Sequence, residues 1–168
     1  MADDNLLIIL GNQLFPLEEI KKTGAKKIFM KEDLGLCTDF KHHKLKILFF
    51  LGAMREYKKN LEANGFEVIY FDIDNKEFDT SYIELLKNTL QKNSIDNILH
   101  FEIEDKTFAA KFDKFISSNQ IKSLQIPTPM FLCAREEFKD FFGNKSLRMV
   151  SFYQMMRKKL NVLMENEK

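Results

Sequence analysis

The chain has 168 residues, 45% hydrophobic and 30% charged, with a formal net charge of +1. That length suits one domain with a sizeable core, and near-neutrality gives no global field of the kind that announces nucleic acid, though a local basic patch stays open. Two cysteines, Cys37 and Cys133, have no CxxC spacing, which argues against a disulfide framework or metal knuckle and fits a reducing compartment.

The first apolar run follows Met1-Ala2-Asp3-Asp4-Asn5 and has no basic leader. No stretch approaches the roughly 20 apolar residues of a membrane helix, so a cytoplasmic protein without membrane contact is expected. Residues 6–10, LLIIL, are apolar without alternation, the pattern of a strand covered on both faces. The turn GNQLFP follows directly. Further runs of strand length lie at 27–30, 67–72, 97–101 and 122–126.

Helical spacing fills the gaps. Residues 41–63 carry the core-like set Leu45, Phe49, Ala53 and Leu61 and stop at Asn64-Gly65. Residues 80–93 open with Thr80 or Asp79 as N-cap and have Glu84 shortly after. Residues 105–119 place Phe108, Phe112 and Phe115 on one face. Strand and helix alternate about five times, which predicts an α/β fold: a Rossmann-like doubly wound layer, a five-stranded parallel sheet flanked by helices. Strand order is not readable from the pattern.

After Pro127 the character changes, so residues 1–130 are expected to form the α/β domain and 131–168 its helical extension. Two prolines precede a short helix, and then a final helix carries Met149, Phe152, Tyr153, Met156, Leu160, Leu163 and Met164 as one stripe. Core packing is the expected use of that stripe, with docking to a further protein surface as the alternative.

Few motifs carry chemistry. GxGxxG and GxxxxGKS/T are absent, so phosphate-cradling loops are unsupported. GxSxG and HExxH are absent too. His42 and His43, neighbours on a helix, would point about 100° apart and could not chelate one ion well. His100 ends a strand and reads as structural, and no catalytic or metal-binding residue is assigned. The basic cluster Lys145, Arg148, Arg157, Lys158 and Lys159 reads as a solvated helix face, with phosphate contacts at Arg148 and Arg157 as the alternative. GNQLFP is either a plain strand-to-helix turn or the lip of a binding cleft, since ligands of open α/β sheets bind beyond strand carboxyl ends. Its two amides, Asn12 and Gln13, suit a neutral hydrogen-bonding ring better than a pyrophosphate. Glu32, just past the second strand, could accept a ring N–H.

Three blocks occur in order: LIILGNQLFP, MKEDLGLCTDFKHHKLKILFFLGAMREY, and FLCAREEFKDFFGNKSLRMVSFYQMMRKKLNVLME. Together they resemble the start of the iron–sulfur bacterial cryptochrome and photolyase family, the deoxyribodipyrimidine photolyase-related proteins. The resemblance covers essentially the whole chain and is loosest over residues 72–125. It implies an N-terminal antenna domain that holds 6,7-dimethyl-8-ribityllumazine near the strand ends and passes light energy to a flavin. It also implies that FAD, a 4Fe-4S cluster and DNA belong to a helical C-terminal part outside these residues, which would be this domain's partner in repairing UV-damaged DNA, typically the (6-4) photoproduct. By motif, the chromophore residues are Gly11, Asn12, Gln13, Leu14 and Glu32, with Asp39 beside the HHK run and Glu102 after the fourth strand. The family often has an acid where Asn12 stands and an aromatic where Asp39 stands, exchanges that bear on charge-dependent contact and on ring stacking. A standalone scaffold or interaction domain without chromophore is the alternative function.

Overall fold

A computed structural model describes residues 5–33, 35, 38, 41–144 and 146–164. The chain divides into two compact units after Met130.

In the first unit the strands are β1 (Asn5–Ile8), β2 (Lys27–Lys31), β3 (Glu67–Phe71), β4 (Asn97–Phe101) and β5 (Lys122–Ile126). They form one sheet in the order β3-β2-β1-β4-β5, every pair parallel. The register sets Ile8 beside Phe29 of β2 on one side and His100 of β4 on the other. Helices α1 (Leu17–Lys22) and α2 (Lys44–Ala63) make the first crossovers. Helices α3 (Tyr82–Lys92) and α4 (Lys106–Asn119) make the last two.

The run LLIIL serves two cores at once, because successive strand side chains point to opposite faces. Leu7 and Ile9 join Leu51, Met54 and Leu61 of α2. Leu6 and Ile8 join Tyr82, Leu85 and Leu86 of α3 and Phe112 and Phe115 of α4. The sheet is therefore wound on both faces, as the alternating pattern predicts. Each fully buried large side chain among these contributes about 1.5–3 kcal/mol to stability.

Helix ends follow local chemistry. The His43 Nδ1 accepts the Leu45 N–H to cap α2, and Gly65, at φ 85°, follows its last turn. Asp105 caps α4 by accepting the Phe108 N–H at 2.8 Å.

Several expectations need correction. The cap of α3 is Ser81, whose Oγ accepts the Glu84 N–H, and not Thr80 or Asp79. The buried face of α2 is Leu51, Met54 and Leu61, while Leu45 and Phe49 are 61% and 77% exposed. The first half of α2 is apolar around most of its circumference, so spacing alone does not select the face. β5 is an exposed edge, with Leu124 on the surface.

The second unit contains α5 (Arg135–Phe142) and α6 (Met149–Leu160). Phe138, Phe141, Phe142 and Phe152 form an aromatic cluster with ring centroids 4.9–5.8 Å apart. The Lys159 ammonium meets the Glu137 carboxylate at 2.5 Å. Core packing of the α6 stripe does not hold: the helix has no buried residue, and Met149 and Tyr153 are exposed. Phe152 alone of that stripe enters the four-ring cluster.

Candidate functional site

The strand order reverses between β1 and β4, so the chain leaves these neighbours in opposite directions and their outgoing loops diverge. The β1 loop turns at once, with the Gln13 N–H donating to the Leu10 carbonyl at 2.8 Å. Gly11 lies hard against α2. A Cβ there would stand 2.6 Å from Phe50 Cε1 and 2.9 Å from Met54 Sδ, so any larger residue has to push both side-chain ends aside. Gln13 is buried, and its amide donates to the Glu102 carbonyl at 2.9 Å and reaches the Glu104 carboxylate at 3.4 Å. This one side chain ties the β1 loop to the β4 loop across the reversal. Leu14 packs against the first core. Beside it the Tyr57 hydroxyl donates to the Phe15 carbonyl at 2.7 Å, and burial pushes that phenol up to about 12.

Above the reversal opens a cleft of about 540 Å³, within the size range of small-molecule sites. Leu10, Gly11 and Asn12 come from the β1 loop, Lys31 and Asp33 from the end of β2, and Ile103 and Asp105 from the β4 loop. Phe50 and Met54 of α2, the first turn of α3 (with Ser81 and Tyr82) and Thr107, Phe108 and Lys111 of α4 complete the wall. Ser81, Asp105, Thr107 and Lys111 are exposed and mark a polar mouth. Met54, Lys31 and Tyr82 are buried and mark the inner end. Asp33 fixes its own loop by accepting the Gly35 N–H at 2.8 Å. Lys31 donates to the Phe78 carbonyl at 3.3 Å and lies over the Phe78 ring. The arrangement is an apolar slot with a few placed donors and acceptors, suited to holding a ring.

Glu32 is fully buried, and its carboxylate accepts four hydrogen bonds. Arg55 supplies two, at 2.6 and 3.0 Å, the Tyr70 hydroxyl one at 2.7 Å and the Ile73 N–H one at 2.9 Å. Burial opposes its charge, but the contacts from Arg55, Tyr70 and Ile73 together outweigh burial and hold the carboxyl below its ordinary range. Burial and the Glu32 carboxylate push the Tyr70 phenol up. The network bolts the end of β2 to α2 and to the chain leaving β3.

The model of deoxyribodipyrimidine photo-lyase-related proteins matches residues 7–168. The chain belongs to this family. It is 30% identical to a (6-4) photolyase of Agrobacterium fabrum over 96% of its own length, and it spans 33% of that protein. It is also 24% identical to an uncharacterized protein of Acanthamoeba polyphaga mimivirus, over 98% of this chain and 87% of that one.

In this photolyase-related chain, Gly11 and Asn12 line the cleft, and Gln13 underlies it as a tie between loops. Leu14 lines a separate shallow depression on α2. Glu32 is not on the cleft wall, and its acceptor positions are taken by protein donors. Glu102 offers its carbonyl to Gln13, and its N–H donates to the Ile126 carbonyl at 2.8 Å. Asp39, Cys37 and Lys145 lie outside the described residues. His42 lines the cleft while His43 caps α2. His100 is buried in β4, its ring edge-on to Phe112 and its Nδ1 2.9 Å from the Phe101 carbonyl. Burial lowers its basicity.

Among the described residues, no group of three or more His, Cys, Asp or Glu could hold a metal ion. No described helix is long and apolar enough to cross a membrane. Sequence reasoning missed Tyr82, Lys31, Asp33 and Asp105 as cleft residues and Arg55 as the partner of Glu32. The signal for Asp33 and Asp105 was available, since both follow strand ends on either side of the reversal. The signal for Tyr82 was its place immediately after the Ser81 cap, in the helix turn that faces the cleft.

Proposed function

We propose that the cleft between the β1 and β4 loops holds a light-harvesting chromophore, 6,7-dimethyl-8-ribityllumazine, within a photolyase-related protein. The observation that carries this reading is the mixed lining of the cleft: Leu10, Phe50, Met54, Ile103 and Phe108 as apolar walls, with Asn12, Asp33, Tyr82 and Asp105 as placed polar groups. Family membership supports it. The domain's work is to bind and orient the ring and keep water from it. Gly11 and Asn12 form the lip, and Gln13 and Glu32 hold the loops that shape it. The bound chromophore would supply absorption of near-UV or blue light and transfer of that energy to a flavin.

FAD, the 4Fe-4S cluster and DNA then belong to a helical partner part outside these residues. The parent activity in this reading is light-driven repair of UV lesions, the (6-4) photoproduct by analogy with the Agrobacterium relative's name. Titration of the purified chain with the lumazine, read by its fluorescence, tests the proposal. Quenching or a spectral shift with saturation supports it. Unchanged emission up to about 500 μM ligand, weaker than a typical ring site of this size, defeats it.

A second reading, a scaffold domain that binds no chromophore, draws on the exposed apolar residues of α6. The same titration separates the two.

A further inference from the structure

Helix α2 has a second apolar face, turned away from the sheet. Leu45, Leu48 and Phe49 are 61%, 68% and 77% exposed. At about 100° per residue they share one arc with Gly52, roughly opposite the Leu51, Met54 and Leu61 that enter the core. A helix on a globular surface ordinarily keeps that side polar. Gly52 stands mid-helix, where glycine is a poor helix former, yet a Cβ there meets nothing within 4 Å. Packing within the described residues therefore does not ask for glycine. A bare notch among exposed apolar side chains does suit a second helix, because the side chains at the crossing set how closely two helices approach. One turn past Phe49 lies the shallow depression lined by Leu14, Ala53, Tyr57 and Asn60.

The charges on α2 say which helix fits. Its first turn carries Lys44 and no acid, and its last turn carries Glu62 and no base. Both ends oppose the helix's own dipole. Lys44 and Glu62 are exposed and stand 18 residues apart, five whole turns, so they share one flank of the apolar face. Glu62 meets Lys58 of its own helix at 3.6 Å, an exposed pair that holds little. In an antiparallel pair related by a twofold axis each flank faces its equivalent, so Lys44 is brought to Glu62. A parallel neighbour of the same sequence brings like charges together instead.

We propose that α2 is the contact face of a weak twofold dimer, in which a second copy of this chain crosses antiparallel at Gly52 and each Phe49 enters the depression on the partner subunit. With the axis at Gly52, a residue three before it lies across from one three after it, so Phe49 meets the turn between Ala53 and Tyr57. Lys44 is then displaced from Glu62 of the partner subunit by only about 3 Å along the helix direction. Knob, notch, depression and paired charges all lie on one helix, which is the self-complementarity that a twofold contact needs. None of Leu45, Leu48, Phe49 and Gly52 lines the cleft, so the dimer is independent of the chromophore reading. One helix face makes a small interface, and a dissociation constant of roughly 100 μM fits it.

Sedimentation equilibrium of the full chain from about 5 to 500 μM, a range that brackets this constant, tests the contact, with thermal unfolding at the dilute end. The unmodified chain is expected to pass from monomer to dimer. Phe49→Glu and Gly52→Gln should each weaken association at least about ten-fold. Gly52→Gln should also raise the melting temperature, since glutamine favours helix and the space is open. Lys44→Glu and Glu62→Lys should each weaken association about five-fold, and the double exchange should restore it to within about two-fold. A chain that stays monomeric at the highest concentration overturns the proposal and leaves the face to a different protein surface. A dimer that survives Phe49→Glu or Gly52→Gln forms elsewhere and overturns it too. A double exchange no tighter than the single ones, or single exchanges without effect, overturns the antiparallel arrangement. A lowered melting temperature of Gly52→Gln means the notch is filled within the chain, and overturns the proposal whatever the association.

Discussion

Glu32→Gln separates a structural role from a ligand contact. The substitution keeps shape and removes the charge. One oxygen survives and can still accept from Arg55 Nε and the Tyr70 hydroxyl, now 2.6 and 2.7 Å away. The other becomes an amide N–H₂ facing two donors, Arg55 Nη2 and the Ile73 N–H. Leaving the Ile73 N–H without its acceptor costs about 1–3 kcal/mol. Arg55, whose side chain is 42% exposed, turns to water, so its share falls to the roughly 0–1 kcal/mol of a solvated pair. The sum is about 1–4 kcal/mol, or about 2–16 °C in melting temperature for a chain of this size.

The effect of pH has a definite sign. The folded carboxyl lies below its ordinary value of 4.5, so its contribution is complete above that value and disappears as pH falls through the folded value. Urea unfolding at pH 7 and at successively lower pH should show a gap between the two proteins that narrows on acidification. A gap under about 0.5 kcal/mol at pH 7, the range of an inert surface change, refutes the network's structural role. So does a gap that stays constant into acid. Full stability with abolished lumazine binding would instead make Glu32 a direct ligand contact.

Gly11→Ala forces the added methyl against Phe50 and Met54, and overpacking of this kind costs about 1–3 kcal/mol. Chemical denaturation checks the cost, and weaker lumazine binding should accompany it because both displaced side chains line the cleft. Tyr57→Phe removes the donor to the Phe15 carbonyl and should cost about 1 kcal/mol, read by thermal unfolding, with cleft binding unchanged. Gln13→Leu cuts the tie between the β1 and β4 loops. It should cost about 1–2 kcal/mol and speed amide exchange in residues 102–105, both measurable on the free protein.

Much of the fold is legible in the residues because each β-strand run is short, apolar and followed by helical spacing. Asn64-Gly65 and Asp105 mark helix ends where helices end. What spacing cannot resolve is direction around a helix that is apolar on most sides, which is why Leu45 and Phe49 are outside and Leu51 and Met54 inside. Nor can it tell a stripe that enters a core from one that stays exposed, as on α6. At the site, Gly11 and Asn12 are readable because strand ends make clefts. Glu32 is readable as special, but its partner Arg55 stands 23 residues away and becomes a neighbour only through the β2–α2 crossover. Tyr82 and Asp33 meet only because α3 crosses back over the sheet to the far side of β1.

A titration of 6,7-dimethyl-8-ribityllumazine into the unmodified chain and into Thr107→Trp tests the cleft most directly. Thr107 is an exposed mouth residue on α4, so an indole there blocks entry with little effect on folding. The expected result is saturable binding to the unmodified chain, with a dissociation constant on the order of micromolar, about −8 kcal/mol, and loss of that binding in Thr107→Trp at unchanged melting temperature. No saturation with the unmodified chain, or equal affinity in both proteins, would contradict a chromophore site in this cleft.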